Sequence, residues 1–209
     1  MLDCGIRVKE IQEATGYTLA SVDGCLVTHS HSDHCKGAIA LERLGVDVYA
    51  SKGTLMSAGL LGHRSHAVKP LAPFVIGSFT ILPFDVEHDA PDPLGFMAES
   101  KVTGDRLLYV TDTAFLKYSF DRLTHILIEA NYDPEIMAKN VETGRLSPPR
   151  AKRTVKNHMS IDTAIKYLER VDKTSLQQVF LIHLSNENSD ENQFVLRAME
   201  ATGSLVKVC

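Results

Sequence analysis

Three histidines and one aspartate fall within six consecutive positions of this sequence, one residue after an apolar run, Cys25–Val27. His29 and His31 stand two apart, so in an extended chain their imidazoles leave the same face and can bind one ion. Asp33 and His34 follow, and a turn into a helix would direct this second pair at a point beside the first. Imidazole nitrogens and a carboxylate suit zinc-type coordination. The spacing therefore predicts a metal centre rather than a polar loop with chance histidines.

The run THSHSDH resembles the HxHxDH signature of the metallo-β-lactamase superfamily. This resemblance implies an α/β (α+β) fold, an αββα four-layer sandwich of two mixed β-sheets flanked by helices, as a single domain over residues 1–209. Three later residues occur in the order and context that the superfamily's pattern requires: His88, Asp112 and His183. The resemblance implies that His29, His31 and His88 hold one metal ion, that Asp33, His34 and His183 hold another, and that Asp112 bridges them.

Asp3 resembles the superfamily's first motif, an early aspartate that orients a ligand histidine without binding the metal, as outer-shell carboxylates do. The superfamily normally has further strands before this motif, whereas this sequence has only two residues before it. We therefore expect N-terminal strands to be missing. A truncated start, a misassigned start and an edge that another chain covers are all open explanations.

The elements that must position these residues are short β-rich runs with helical segments between them. Helical periodicity is clearest after a predicted N-cap at Ser160, and a proline-rich, basic stretch at Gly144–Lys156 has the composition of a linker. Gly77-Ser78 has the composition of a hairpin turn. We predict two more helices, at Cys35–Leu44 and Asn192–Ala201. The predicted strands are Gly24–Thr28, Asp47–Ser51, Phe74–Ile76, Phe79–Val86, Gly95–Ser100, Leu107–Thr111, Ile126–Ala130, Val179–His183 and Leu205–Val208.

The composition bounds the class of protein. The 209 residues are 44% hydrophobic, which is enough for one well-buried domain. A net charge of −4 gives no overall attraction to nucleic acid or to an anionic membrane, so an anionic substrate would need local positive charge. Neither a membrane span nor a signal peptide is evident, which predicts a cytoplasmic protein without a membrane partner. The four cysteines show no pattern of disulfides or metal ligands.

Two further residues indicate which branch of the superfamily applies. Glu129 and His158 resemble, with the segment at His183, successive motifs of the ribonuclease Z type of phosphodiesterase. That resemblance implies a Glu–His pair beside the metals, whose histidine contacts or protonates the phosphate. Independently, His158 lies two residues before the N-cap of an amphipathic helix, where unpaired N–H groups favour an anion. The alternative is a histidine in a capping loop without a catalytic role.

Local positive charge occurs immediately before His158. Five basic residues follow one another there without an intervening acid: Arg145, Arg150, Lys152, Arg153 and Lys156. They can hold backbone phosphates next to the metals and give salt-sensitive, sequence-independent binding. A solvated loop is the alternative.

The motifs HDAPDPLGF, TDT, EANYD and HLSNEN are most similar to the YycJ-like (WalJ-like) group of small exonucleases. The imidazole and carboxylate donors favour two zinc ions and allow manganese. The resemblance implies a 5′-to-3′ exodeoxyribonuclease in which the two ions activate a hydroxide. It also implies a nucleic acid substrate, with single-stranded DNA favoured over RNA, and it leaves a homodimer open.

Two other functions stay open. Glyoxalase II-like thioesterases and lactonases share the metal motif but need neither the Glu129–His158 pair nor the basic stretch. A non-enzymatic nucleic-acid binder would not need the full ligand set. The β-CASP nucleases are excluded because too few residues follow Asp112 to contain their inserted domain.

Overall fold

The computed structural model describes the whole chain, residues 1–209, as two sheets with flanking helices. The strand order is β1-β2-β3 in the three-stranded sheet and β10-β9-β8-β7-β6-β5-β4 in the seven-stranded sheet. The strands are β1 Cys25–Leu26, β2 Val48–Ala50, β3 Ser65–Ala67, β4 Phe74–Ile76, β5 Phe79–Asp85, β6 Leu94–Ser100, β7 Arg106–Val110, β8 His125–Glu129, β9 Gln178–Ile182 and β10 Leu205–Val208. The helices are α1 Val8–Ala14, α2 Ser32–Cys35, α3 Ala38–Arg43, α4 Lys52–Ser57, α5 Pro134–Glu142, α6 Pro148–Asn157, α7 Ile161–Arg170 and α8 Glu191–Thr202.

The chain divides into two compact units. The first unit comprises Met1–Asp85 and Asp89–Met97, and the second comprises Val86–His88 and Ala98–Cys209. In the first unit, the parallel strands β1, β2 and β3 bury Cys25, Val48 and Ala50 in an apolar cluster with the helices. The hairpin β4–β5 is antiparallel and turns at Gly77-Ser78, as the sequence predicts, with a positive φ of 51° at Gly77.

The second unit is organised by four parallel strands, since β7, β8, β9 and β10 pair in parallel. The fully buried residues Ile126, Ile128, Val179 and Leu181 alternate along β8 and β9, as strands packed against a core require. Because β7, β8 and β9 run in one direction, their carboxyl ends lie at the same edge of the sheet. Side chains at those ends are therefore brought together.

Helix α7 begins after the N-cap that the sequence predicts, Ser160. The hydroxyl of Ser160 accepts a hydrogen bond from the Thr163 N–H, and the buried residues Ile161, Ala164 and Leu168 follow helical spacing. The prediction of a linker at Gly144–Lys156 is wrong, because Pro148–Asn157 forms α6. Proline is favoured in the first turn of a helix, where the missing N–H has no partner to lose. None of the helices combines the length and apolar character that a membrane crossing requires.

Candidate metal centre and phosphate site

Three acidic or imidazole side chains lie at the carboxyl ends of the parallel strands in the second unit. Asp112 follows β7, Glu129 is the last residue of β8, and His183 follows β9. Asp112 is 3% exposed and Glu129 is fully buried. Burying a carboxylate costs free energy unless it is paired or coordinates a metal. This edge of the sheet is therefore a candidate metal-binding site.

Asp112 lies between two histidines, one beside each carboxylate oxygen. Its Oδ2 is 3.6 Å from His88 Nε2, and its Oδ1 is 3.5 Å from His183 Nε2. Two ligands bonded to one zinc ion at about 2.0–2.1 Å in tetrahedral geometry are about 3.4 Å apart. Each pair thus has the spacing of two ligands of a common ion. His88 also donates from Nδ1 to the Asn157 carbonyl at 3.0 Å, which leaves Nε2 as the ligand atom.

Glu129 connects two histidines to the backbone. Its Oε2 accepts from the N–H groups of Thr113 and Met159, at 2.9 and 3.1 Å. Its Oε1 lies 2.7 Å from His158 Nδ1 and 3.1 Å from His183 Nδ1. Burial alone would raise the pKa of Glu129, but the hydrogen bonds from these two imidazoles outweigh it and lower the pKa. Glu129 is therefore a fixed carboxylate that keeps a proton on Nδ1 of each ring.

His158 lies in the break between two helices. It is the C-cap of α6, and it precedes Ser160, the N-cap of α7, by two residues. Its ring stacks on that of His183 at a centroid distance of 5.3 Å, with an interplanar angle of 15°. About a fifth of its side chain is exposed (21%), so a group bound from solvent can reach it.

The HxHxDH run forms a compact cluster in the first unit. His29 Nε2 lies 3.1 Å from His31 Nδ1, and the rings of His29 and His34 are 4.2 Å apart. The chain turns into α2 at Ser32, as the sequence predicts, and His34 Nε2 lies 3.7 Å from Asp33 Oδ2. The nitrogen and carboxylate donors of this cluster, like those of the second unit, fit divalent ions of the zinc type.

Asp3 anchors this cluster to the N-terminal segment. Its Oδ2 lies 2.8 Å from His34 Nδ1, and its Oδ1 accepts from the Thr28 N–H at 2.8 Å. Any side chain at Gly5 would overlap the Asp33 carbonyl oxygen, so glycine permits this close approach. The contact is the one that an orienting carboxylate would make with a ligand histidine.

The backbone is in the left-handed region at three of these positions. The φ angles are 49° at Asp3, 47° at Asp112 and 59° at His183. Non-glycine residues in this region are uncommon and cluster at functional sites. The fold therefore holds these three side chains in directions that an extended or helical backbone would not give.

The five basic residues are all exposed. Arg145 precedes α6, and the other four lie on it, which places them on a helix that ends at His158. Arg150 lies 3.9 Å from Glu187, but both side chains are largely exposed, so this ion pair contributes little. Two histidines that match no motif have other partners, since His66 pairs with Asp47 and His125 with the Thr124 hydroxyl.

Comparison with known proteins identifies the family of this chain. The model of the beta-lactamase superfamily domain matches residues 1–184. The chain belongs to the beta-lactamase superfamily. Its curated relatives include exodeoxyribonuclease WalJ of Streptococcus pneumoniae, 30% identical over 187 residues, which cover 80% of this chain and 65% of the relative. They also include exodeoxyribonuclease YycJ of Bacillus anthracis, 26% identical over 208 residues, 90% of this chain and 75% of the relative.

Comparison with solved structures identifies the fold. The metallo-β-lactamase fold protein YhfI from Bacillus subtilis superposes with a TM-score of 0.74 at 15% identity, covering 100% of this chain and 83% of YhfI. The αββα metallo-β-lactamase fold expected from the sequence is thereby confirmed. The chain spans slightly less than two thirds of the length of the WalJ relative.

Asn131 is a residue of this candidate site that sequence reasoning missed. Its side-chain amide donates to the His183 carbonyl at 2.8 Å and lies 3.2 Å from His183 Nδ1. Its backbone accepts from the Ser185 N–H and donates to the Met159 carbonyl. Asn131 thus ties the strained turn at His183 to the segment that follows His158. The only available signal was its place beside Glu129 in EANYD.

We expect Asp3→Ala to weaken metal affinity by about 10- to 100-fold, because the contact to His34 Nδ1 is lost and outer-shell partners have effects of this size. Competition with a chromogenic chelator measures the affinity. Asp23→Ala, which removes an exposed carboxylate from the same unit, is the matched control. Unchanged affinity in the Asp3 variant, even with a lower Tm, would show that Asp3 is only a structural residue.

Proposed function

We propose that this chain is a binuclear metal-dependent phosphodiesterase, a nuclease of the 5′-to-3′ exodeoxyribonuclease type. The observation that carries the proposal is Asp112, whose two oxygens each face one histidine at the spacing of shared metal ligands. The Glu129–His158 pair beside it supports phosphodiester chemistry over other hydrolysis. The names of the curated relatives support the same activity.

Two divalent ions would be held by the residues that the superfamily pattern matches. We assign His29, His31 and His88 to one ion, Asp33, His34 and His183 to the other, and Asp112 to both. The donor set favours zinc and allows manganese. Ions bound in this way supply Lewis acidity toward a phosphoryl oxygen and toward the attacking water.

The chain's own residues would position the substrate and move one proton. Glu129 holds a proton on His158 Nδ1, which leaves Nε2 as the nitrogen available to the phosphate. When water attacks phosphorus and the phosphorus–oxygen ester bond breaks, His158 in its doubly protonated imidazolium form would stabilise the departing oxygen or donate its Nε2 proton to it, while Glu129 keeps the Nδ1 proton in place. The N-terminus of α7, two residues away, favours the same anion.

A single-stranded DNA substrate, with RNA as the alternative, would lie along α6. This helix carries four exposed basic residues and ends at His158, so a strand bound to it has a phosphate next to the catalytic histidine. The cytoplasmic location stays a prediction from the sequence.

A substrate panel tests the proposed function. The panel comprises 5′-labelled DNA, RNA, bis-p-nitrophenyl phosphate, a glutathione thioester and a lactone, each with manganese and with zinc. We expect DNA cleavage from the labelled end. RNA-only cleavage would indicate the ribonuclease Z type instead, and thioester or lactone cleavage without nuclease activity would contradict the proposal in favour of the glyoxalase II-like class.

Neutralising Arg150, Lys152 and Arg153 to glutamine should weaken binding to single-stranded DNA and flatten its salt dependence by up to about three phosphate contacts' worth of slope. Turnover of bis-p-nitrophenyl phosphate, which is too small to reach α6, should barely change. Fluorescence anisotropy at several salt concentrations measures the slope.

The matched control for this variant neutralises Lys139, Lys166 and Lys207, which are exposed on other elements of the same unit and change the net charge equally. An equal loss of slope in the control would mean that overall charge, and not α6, binds the strand.

A further inference from the structure

Oxygen Oε1 of Glu129 is shared by two imidazoles within a single compact unit. His158 Nδ1 lies 2.7 Å from it and His183 Nδ1 lies 3.1 Å from it. The other oxygen, Oε2, is held by two backbone N–H groups, so the carboxylate cannot rotate freely. One fixed oxygen and two nitrogens thus converge on one small volume, and the His183 nitrogen involved is not the one that lies 3.5 Å from Asp112.

These separations are close to those of ligands around one ion. Ligands bonded at about 2.0–2.1 Å are about 3.0 Å apart at right angles and about 3.4 Å apart in a tetrahedron. The observed 2.7 and 3.1 Å would open by about 0.7 and about 0.3 Å to reach the tetrahedral spacing. One potential ligand atom from each of Asp112, Glu129, His158 and His183 lies within 4.8 Å of the others, so these four residues form one cluster of possible ligands.

We propose a third metal-binding site formed by Glu129 Oε1, His158 Nδ1 and His183 Nδ1. Zinc present in excess of the two proposed ions binds there, and its binding inhibits the protein. Zinc binds Nδ1 only without its proton, so His158 takes the neutral tautomer that carries the proton on Nε2, while His183 releases its Nδ1 proton to solvent and becomes an imidazolate. Zinc–nitrogen and zinc–oxygen bonds replace the hydrogen bonds to Glu129. His183 then uses both ring nitrogens, with Nε2 toward Asp112 and Nδ1 toward the third ion.

The donor set selects zinc over manganese. Two imidazole nitrogens and one carboxylate oxygen, with an open fourth position, are a common zinc arrangement. Manganese binds nitrogen-rich sites more weakly than zinc in the Irving–Williams order and prefers oxygen ligands. Excess manganese is therefore expected to leave the third site empty, while excess zinc fills it.

Inhibition follows from the contact that is lost. Once Glu129 and His158 bind zinc, Glu129 no longer orients the imidazole by a hydrogen bond, and the ring is held toward the ion. This consequence rests on the proposed function, in which His158 acts on the phosphate. Occupancy of the site by zinc does not rest on the proposed function, because it depends only on the three donor atoms.

Equilibrium dialysis against increasing zinc, with the metal content read by mass spectrometry, tests the occupancy. We expect the wild-type chain to bind three ions, with the third more weakly held, and Glu129→Gln and His158→Ala each to lose the third. His125→Ala, which removes a histidine of the same unit whose ring hydrogen-bonds to the Thr124 hydroxyl, should keep three. The imidazole N–H proton signal of the His158–Glu129 hydrogen bond should disappear as the third ion binds.

Binding of no more than two zinc ions by the wild type, or a third ion that persists in both variants, would overturn the proposal. Zinc added in excess to protein already loaded with two zinc ions tests inhibition separately. Turnover of bis-p-nitrophenyl phosphate should fall as the third ion binds, whereas excess manganese should leave it unchanged. A chain that hydrolyses no phosphodiester would contradict the proposed function and leave the dialysis result to decide on the third site.

Discussion

Replacing Asp112 with alanine is expected to remove most of the hydrolytic activity and to lower the number of bound metal ions. Both oxygens of this buried carboxylate face a histidine nitrogen, so its loss removes a ligand from each proposed ion. Electrostatic stabilisation by such ions is worth several kcal/mol in the transition state. A loss of about 3 kcal/mol or more corresponds to at least about a 100-fold lower rate.

Metal analysis by mass spectrometry and turnover of bis-p-nitrophenyl phosphate measure the two effects of this substitution. Asp121→Ala, an exposed aspartate in the same unit, controls for the loss of a carboxylate. An Asp112 variant that holds two ions and turns over normally would show that the bridging assignment is wrong.

His158→Ala is expected to lower turnover by about 10²- to 10⁴-fold, the usual effect of a general acid, while the chain keeps both proposed ions. His158 is assigned to neither ion, and its ring is partly exposed, so its removal should disturb the fold little. Single-turnover cleavage of labelled DNA measures the rate, and metal content is measured on the same sample. His63→Ala, at an exposed position outside every motif, is the control. Full activity of the His158 variant would leave it as a capping-loop residue.

Glu129→Gln tests the contacts of this carboxylate with His158 and His183. From the sequence, Glu129 is expected to support only His158, so the substitution should lower turnover and leave metal content intact. The structure adds the contact to His183 Nδ1, and His183 is a proposed ligand. We therefore expect a weaker metal affinity, by about 10- to 100-fold, together with the lower turnover.

The strands of the second unit were predictable because their signal is local. Alternating or continuous apolar runs, such as those that end at Val110, Ile128 and Ile182, need no tertiary information to be recognised. A candidate site residue lies at or just after the end of each strand, so the parallel arrangement brings Asp112, Glu129 and His183 to one edge of the sheet.

Other elements carried no such signal. The strand Ser65–Ala67 is short and polar, and pairing with β2 rather than its own composition makes it a strand. Helix α6 has the charge and proline content of a linker. Its prolines indicate a helix only once the first helical residue is known, because proline is favoured in the first turn and breaks a helix elsewhere. The link from Asn131 to His183 spans 52 residues, and no local pattern predicts a contact at that separation.

The left-handed backbone at Asp3, Asp112 and His183 lowers the stability of the fold at positions where the proposed chemistry needs a side chain. Each such position costs a non-glycine residue about 1 to 3 kcal/mol, with aspartate at the low end. The three together are a substantial part of the 5–15 kcal/mol that typically holds a domain folded. Glycine would relieve this strain but would remove the side chains. A lineage that no longer needed the chemistry would therefore be expected to drift toward glycine at these positions and become more heat-stable as it lost activity.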